Sequence, residues 1–149
     1  MQETVTLDAA DRRILAALSD NARLSWVALS ERVHLSPSAC QRRVEALVAS
    51  GVIARFTVET DPARMGRAVH AFIEIKVERQ RVERARALRA AIAAYPEVGG
   101  AWKLSGQVDY LVEVRSPSIA ALSTFIDEKL LSLDGVVDAS SSIVLEEVA

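Results

Sequence analysis

Residues 25–55 read SWVALSERVHLSPSACQRRVEALVASGVIAR and predict a helix, a tight turn and a second helix. The second of these helices has a clear start signal, because Ser36 can cap the free amides of its first turn and Pro37 fits the first helical position. The apolar residues that follow are spaced to lie on one stripe of a helix, namely Cys40, Val44, Leu47 and Val48. The opposite side is polar, so this helix is expected to bury one face and present the other.

The polar side of this second helix carries groups that suit the major groove of DNA. Hydroxyl, amide and guanidinium groups bond to base edges and to phosphates. Our candidates for DNA contact are therefore Ser25, Ser36, Pro37, Ser38, Gln41, Arg42 and Arg43. Solvated helix surfaces also carry such residues, so a plain surface position stays an alternative, above all for Gln41.

Composition places the chain among folded proteins. Half of its 149 residues are hydrophobic and 26% are charged, which suits one ordinary domain or two small ones. No apolar run approaches the roughly 20 residues that span a bilayer, and the first residues lack the pattern of a signal peptide, so we expect a cytoplasmic protein. The net charge of −2 argues against a protein that binds DNA through overall positive charge. Two copies that act together would still bind DNA tightly, because both sets of phosphate contacts are then made at once.

Residues that could carry metal or catalytic chemistry are few and scattered. The single cysteine, Cys40, excludes an internal disulfide, and its place on the apolar stripe favours an inert core residue over a redox sensor. His34 and His70 have no ligand partners at metal-binding spacing. We therefore predict no metal site, no cofactor and no catalytic residue.

Residues 1–60 are expected to form one domain. A first helix should run from residue 7 or 8 to residue 20 with Asp8 as its cap, and Ser25 should cap the next helix. The inward residues of these two helices would be Ile14, Leu15, Leu18, Val27, Ala28 and Val33. Residues 52–58 read as a β-strand, the base of a small wing. Residues 61–67 lie in the segment ETDPARMGR, which has little periodicity and predicts a linker.

Residues 68–149 have the pattern of an α+β domain. Strands are predicted over residues 69–77, 98–104, 110–115 and 136–148. Of the two helices between them, the first would end before Pro96 and the second would open at residues 116–118. Their inward residues would be Ala85, Leu88, Ile92 and Tyr95 in the first helix, and Ile119, Leu122, Phe125, Ile126 and Leu130 in the second. The order β-α-β-β-α-β is that of the ferredoxin-like fold.

One face of this sheet would be left without a cover, because both helices lie on the other face. Phe72 and its strand neighbours would make the bare face too apolar to meet water in a monomer. Such a face is commonly covered by a second copy of the same chain, so we expect a homodimer.

Four blocks of the sequence resemble the Lrp/AsnC family, the leucine-responsive and asparagine-responsive transcription regulators. The blocks are LDAADRRILAALSDNAR (residues 7–23), LSPSACQRRVEALVASGVI (35–53), LSGQVDYLVEV (104–114) and LDGVVDASSSIVLEEV (133–148). The resemblance implies an N-terminal winged helix-turn-helix that binds double-stranded DNA, followed by a ferredoxin-like domain that senses a small amino acid. It also implies dimers that assemble further, often into octamers. Arg43 matches an arginine that the family motif retains, which should hold a phosphate or brace the helix.

The hairpin at residues 105–110, SGQVDY, is where the resemblance implies effector binding. Its glycine exposes backbone amides for the carboxylate of an amino acid, and Asp109 offers an acceptor for the ammonium group. A plain hairpin turn is the alternative interpretation. The candidate effector residues are Ser105, Gly106, Gln107, Asp109, Tyr110, Asp138 and Ser141.

The chain departs from its relatives at positions that bear on both halves. His34 stands where the helix-turn-helix usually has glycine, which predicts slight strain in the turn. Ala139 and Ser141 stand where some relatives have threonines, which could alter an effector pocket. We expect a sequence-specific DNA-binding transcription regulator modulated by a small amino acid. The alternatives are a regulator or architectural DNA-binding protein without a ligand, and less favoured, an enzyme on the ferredoxin-like fold.

Overall fold

The computed structural model describes residues 5–78 and 82–148, which form two compact units with their boundary between Glu59 and Thr60. The first unit contains the helices α1 (Ala9–Asp20), α2 (Trp26–Val33) and α3 (Pro37–Ala49). The second contains, in chain order, β1 (Val69–Val77), α4 (Val82–Ala94), β2 (Val98–Lys103), β3 (Tyr110–Ser116), α5 (Ile119–Thr124), a π-helical turn (Phe125–Leu130) and β4 (Val136–Ile143). No helix in the described ranges is long and apolar enough to cross a membrane.

Polar caps begin each helix of the first unit at the predicted residue. Asp8 Oδ1 accepts the Asp11 N–H at 2.8 Å, and Asp11 Oδ2 accepts the Asp8 N–H at 3.2 Å, which completes a capping box. Ser25 and Ser36 begin α2 and α3 in a similar way, since each Oγ accepts the amide three residues on at 3.2 Å. These bonds satisfy amides that have no partner inside the helix, so the helix starts follow from local sequence alone.

The turn between α2 and α3 depends on His34, which has a φ of 57°. The N–H groups of His34 and Leu35 both donate to the Ser30 carbonyl, which closes the end of α2. In the described ranges His34 is the one non-glycine residue with positive φ, and this left-handed conformation is the one for which slight strain was predicted.

The core of the first unit joins the three helices through Ile14, Leu29, Val33, Cys40, Val44 and Leu47. Two predicted inward positions were wrong. Val27 is 59% exposed, because it lies two residues from Leu29 and therefore on the opposite side of α2. Val48 is 46% exposed, at the edge of the stripe that Leu47 occupies.

The predicted strand over residues 52–58 was also wrong. Residues 54–60 have no regular secondary structure, and the described part of the first unit contains no strand. A strand is held by hydrogen bonds to a neighbouring strand, and this segment has none in its own unit to pair with. Its apolar side chains are consequently open, with Phe56 55% and Val58 80% exposed.

The second unit is an antiparallel sheet in the order β2-β3-β1-β4, which confirms the predicted β-α-β-β-α-β fold. Its core lies between one face of the sheet and the helices, and the buried residues are Ala71, Ile73, Ile75, Leu88, Ile92, Tyr110, Val112, Val114, Leu122, Phe125 and Leu130. Ile119 was predicted inward but is 64% exposed at the start of α5. β4 ends at Ile143 rather than at residue 148, because Ile143 pairs with Ala71 near the beginning of β1.

The other face of the sheet is less apolar than the sequence indicated. Phe72 is only half-buried, and its neighbours across the strands are Glu113 and Ser142. Beside it, His70 Nε2 lies 3.0 Å from Glu113 Oε1, and the His70 and Phe72 rings are 5.1 Å apart. The face therefore combines an aromatic centre with charged groups.

Candidate nucleic-acid interface and effector hairpin

The exposed face of α3 holds three of the seven predicted DNA-contacting residues. Ser38, Gln41 and Arg42 are exposed, and Cys40 and Val44 lie on the buried side of the same helix. Burial raises the pKa of the Cys40 thiol, which fits the predicted role of an inert core residue. The helix is therefore anchored along one side and presents the other to solvent.

Gln41 and Arg42 differ in how far their side chains are already engaged. Gln41 Nε2 donates to Glu45 Oε1 at 2.9 Å, one helical turn away on the exposed surface. Arg42 makes no side-chain hydrogen bond or ion pair with any residue in the described ranges. Arg42 can thus meet an external acceptor without breaking an internal contact, whereas Gln41 must exchange Glu45 for a base.

Arg43 takes part in a three-residue contact that we call the Arg43 clamp. Its Nη1 donates to Asp8 Oδ2 at 2.9 Å and to Asp11 Oδ1 at 2.8 Å. These carboxylates raise the pKa of Arg43, and the Asp11 N–H and the Arg43 guanidinium lower the pKa of Asp8. The clamp joins α3 to the first turn of α1, which is the bracing role among the two that the resemblance implied.

The cap residues have limited freedom to contact DNA through their side chains. The Oγ atoms of Ser25 and Ser36 are engaged by the amides of their own helices, and Ser36 Oγ lies 3.2 Å from Ser38 Oγ. Pro37 is exposed at the first position of α3 but carries no donor. Ser25 therefore shapes the start of α2, and Ser36 and Pro37 shape the start of α3. Ser38 is the remaining predicted hydroxyl, and it is exposed.

The predicted effector hairpin is an open loop between β2 and β3. Ser105, Gly106 and Gln107 are all exposed. Gly106 has a φ of +155°, and a Cβ built there would meet no atom within 4 Å, so its backbone is accessible from outside. The loop can therefore offer amides to a ligand without a side chain in the way.

Asp109 has a structural role that the sequence did not reveal. Its Oδ2 accepts the Val77 N–H at 2.9 Å, while its own N–H donates to the Ile75 carbonyl at 3.0 Å. Its carbonyl accepts the Leu104 N–H at 2.9 Å. Asp109 thereby ties the base of the hairpin to the end of β1, and its carboxylate is already partly engaged.

The remaining predicted effector residues do not lie together. Tyr110 is 4% exposed and belongs to the core on the helix-covered face. Ser141 pairs with Ile73 on β1, so β1 separates it from β3. Asp138 is three residues from Ser141 and therefore points to the opposite face of β4. The hairpin itself, rather than these strand positions, forms the accessible part of the candidate site.

Sequence reasoning missed the partners of Arg43 and of Asp109. The i, i+3 spacing of Asp8 and Asp11 is a capping-box signal, but nothing local points from it to Arg43, which is 32 residues or more away.

The described ranges contain no group of three or more His, Cys, Asp or Glu side chains that could hold a metal ion.

Two family models match this chain. The winged helix-turn-helix DNA-binding model covers residues 7–54, and the Lrp/AsnC ligand-binding domain model covers residues 70–149. The leucine-responsive regulatory protein of Salmonella typhimurium is 36% identical over 142 residues, which is 95% of this chain and 87% of that protein. The protein of the same name in Escherichia coli is 35% identical over the same shares of both chains.

Solved structures agree with these sequence matches. A transcriptional regulator from Neisseria meningitidis, solved in complex with L-Met, has a TM-score of 0.92 and 37% identity, covering 97% of this chain and 93% of that one. An AsnC family transcriptional regulator from Agrobacterium tumefaciens has a TM-score of 0.91 and 30% identity, covering 96% and 93%. The chain belongs to the Lrp/AsnC family of DNA-binding transcription regulators, not to a family of enzymes.

Proposed function

We propose that α3 reads operator DNA in the major groove and that a small amino acid, bound at the hairpin of residues 105–110, modulates this binding. The observation that carries the proposal is the division of α3 into two sides. Cys40, Val44 and Leu47 are buried, while Gln41 and Arg42 are exposed. A helix that is packed on its own domain along one side can hold the side chains of its other side at a defined position in a groove.

Within α3 we assign the reading of bases to Gln41 and Arg42. Arginine bonds in a bidentate manner to guanine and glutamine to adenine, each pair discriminating by about 1–3 kcal/mol. Arg42 is supported by its lack of an internal partner in the described ranges, and Gln41 by its place on the same exposed side. Arg43 is assigned to bracing, because both carboxylates of the clamp hold it against α1.

For the effector we assign the carboxylate to the exposed backbone of Ser105, Gly106 and Gln107. Support comes from the open space around Gly106 and from the Neisseria meningitidis relative, which was solved with L-Met. Asp109 shapes the base of this loop through Val77, so its contribution to the ligand is secondary to its contribution to the hairpin.

We also propose that two copies associate through the open sheet face around Phe72. A second copy would cover the half-buried ring and the His70 and Glu113 side chains beside it. Dimers that assemble further, as octamers or otherwise, would let an effector act at a distance from α3. If the dimers can form two different assemblies, a ligand favours one of them by the difference between its affinities for the two assemblies. The favoured assembly then determines which pairs of spaced DNA half-sites are bound together.

The experiment measures gel-shift affinity for the DNA upstream of this protein's own gene across a titration of amino acids. We expect Arg42→Ala to reduce discrimination between operator and random DNA by about fivefold or more, because a bidentate contact discriminates by about 1–3 kcal/mol. Arg12→Ala is the matched control, since Arg12 is an exposed arginine on α1. If the Arg42→Ala variant discriminates between operator and random DNA as well as the wild type does, α3 does not read the bases through Arg42.

The same titration tests the hairpin with Gly106→Val, which places a side chain over the open backbone that we assign to the carboxylate. We expect this variant to bind DNA like the wild type without ligand and to lose the response to the amino acid. A thermal-shift measurement gives a second readout, because a ligand at a hundred times its dissociation constant stabilises by about 2.7 kcal/mol. If no amino acid changes either readout in the wild type, the chain is a regulator without this class of ligand.

A further inference from the structure

His70 lies on the open face of the sheet, and its ring is largely enclosed by side chains of that same face. The side chain is 15% exposed, and the ring lies 5.1 Å from the ring of Phe72. Glu113 Oε1 is 3.0 Å from His70 Nε2, yet in the described ranges this buried nitrogen makes no aligned hydrogen bond. Histidine is the side chain whose charge ordinarily changes between pH 5 and 8, so His70 brings a titratable group to this face.

The carboxylate of Glu113 is shared between two basic side chains. Its Oε1 lies 3.0 Å from His70 Nε2 and 3.5 Å from Arg115 Nη2. His70 and Arg115 are directly opposite each other on β1 and β3, where two like charges destabilise the pair. With a neutral His70, Glu113 and Arg115 balance each other. When His70 takes up a proton, two cations share one carboxylate, and each copy of the chain gains an uncompensated positive charge.

The other charged residues of this face lie too far away to restore the balance. Glu74, four residues along β1 from His70, is about 14 Å away at the rise of a strand, which exceeds the Debye length of about 8 Å at physiological salt. Lys76 and Asp138, which are paired across β1 and β4, lie further along and are exposed. The nearer β4 position on this face, Ser142, is uncharged. The charge around His70 is therefore set by the two β3 residues.

We propose that protonation of His70 weakens the association of two copies through this sheet face, so that acidification shifts the chain from dimer towards monomer. The inference rests on the dimer proposed above. Closing the face removes water from the ring, which costs the charged form more than the neutral form. A two-fold interface also brings the excess charge of both copies together. Proton uptake and association are thermodynamically linked, so the dimer must weaken as the ring becomes charged.

The test is sedimentation velocity of the full chain over a concentration series at pH 7.5, 6.5 and 5.5 and constant ionic strength. We expect the dimer dissociation constant to rise by about tenfold or more from pH 7.5 to 5.5, where an ordinary histidine gains its charge. His70→Gln cannot gain this charge and should show little change with pH. His34→Asn is the matched control, because His34 is the other of the two histidines and lies in the first unit. Circular dichroism at each pH shows whether the chain stays folded.

Arg115→Gln gives a readout that a merely structural role of His70 would not move. Without the guanidinium, Glu113 is left as an unbalanced acid on the face at pH 7.5. At pH 5.5 the charged His70 ring would neutralise it. We therefore expect this variant to dimerise more tightly at pH 5.5 than at pH 7.5, which is the reverse of the wild type.

Several results would overturn the proposal. They are a wild-type dimer that is unchanged or tighter at pH 5.5, a His70→Gln variant that keeps the wild-type pH dependence, and an Arg115→Gln variant that keeps its sign. Each of these leaves the proposed dimer intact. A wild type that is monomeric at pH 7.5 at every concentration would instead refute the dimer itself, and the pH switch with it.

Discussion

The Arg43 clamp makes a prediction about DNA binding that is opposite in sign to simple electrostatics. Arg43 donates to Asp11 at 2.8 Å and to Asp8 at 2.9 Å, so removing the Asp11 carboxylate should loosen the contact between α3 and the first turn of α1. We expect Asp11→Asn to weaken operator binding. Charge alone predicts the reverse, because the loss of an acidic group near a polyanion should strengthen binding.

The salt dependence of DNA binding distinguishes a bracing role of Arg43 from a phosphate contact, and the size of the difference can be calculated. Each phosphate contact contributes about 0.9 to the slope of log K against log salt, so two Arg43 side chains on phosphates in a dimer would contribute about 1.8. Between 50 and 200 mM salt, that slope corresponds to a factor of about 12 in affinity. Because the clamp occupies Arg43, we expect Arg43→Ala to lower affinity while leaving the slope unchanged.

The assay is fluorescence anisotropy of a labelled operator at four salt concentrations, with wild type, Arg43→Ala and Asp11→Asn. Asp20→Asn is the control, since Asp20 is an exposed acid at the other end of α1 that pairs with Arg32 and not with α3. A slope reduced by about 1.8 in Arg43→Ala, or tighter binding by Asp11→Asn, would refute the bracing role.

Three further predictions concern pH, packing and assembly. The Asp11 N–H and the Arg43 guanidinium lower the folded-state pKa of Asp8, so the ionised Asp8 contributes stability above the ordinary pKa of about 3.9 and loses it as pH falls through the lower folded value. Between about pH 5 and 3, the melting temperature measured by circular dichroism should therefore fall less for Asp8→Asn than for the wild type. Equal falls in melting temperature would count against this prediction. Leu47 is 4% exposed in the first core, so Leu47→Ala should lower the free energy of unfolding in urea by about 2–5 kcal/mol, and a change below about 1 kcal/mol would show that the site collapses or is not packed. Phe72→Glu should shift the mass measured by light scattering towards the monomer, whereas Ile119→Glu, on an exposed residue of α5, should not; an unchanged assembly in the first variant would move the interface elsewhere.

Much of the fold could be predicted from the sequence because its signals are local. A helix cap involves residues three positions apart, so Asp8, Ser25 and Ser36 marked the helix starts without reference to the rest of the chain. The alternation over β1 likewise needs only the two-residue period of a strand, and β1 has the predicted bounds, Val69–Val77. The position of His34 in the left-handed region follows from the geometry of a tight turn.

The candidate site could be predicted only in part, since its contacts join distant segments. The sequence by itself determined that α3 begins at Pro37, buries Cys40 and Val44, and exposes Gln41 and Arg42.

Only the tertiary structure decided the roles of three other parts of the chain. It places Arg43 against the first turn of α1, ties Asp109 to the end of β1, and leaves residues 52–58 without a strand partner. A cap or an apolar stripe is formed within a few residues, whereas an ion pair or a strand ladder exists only when separate segments meet.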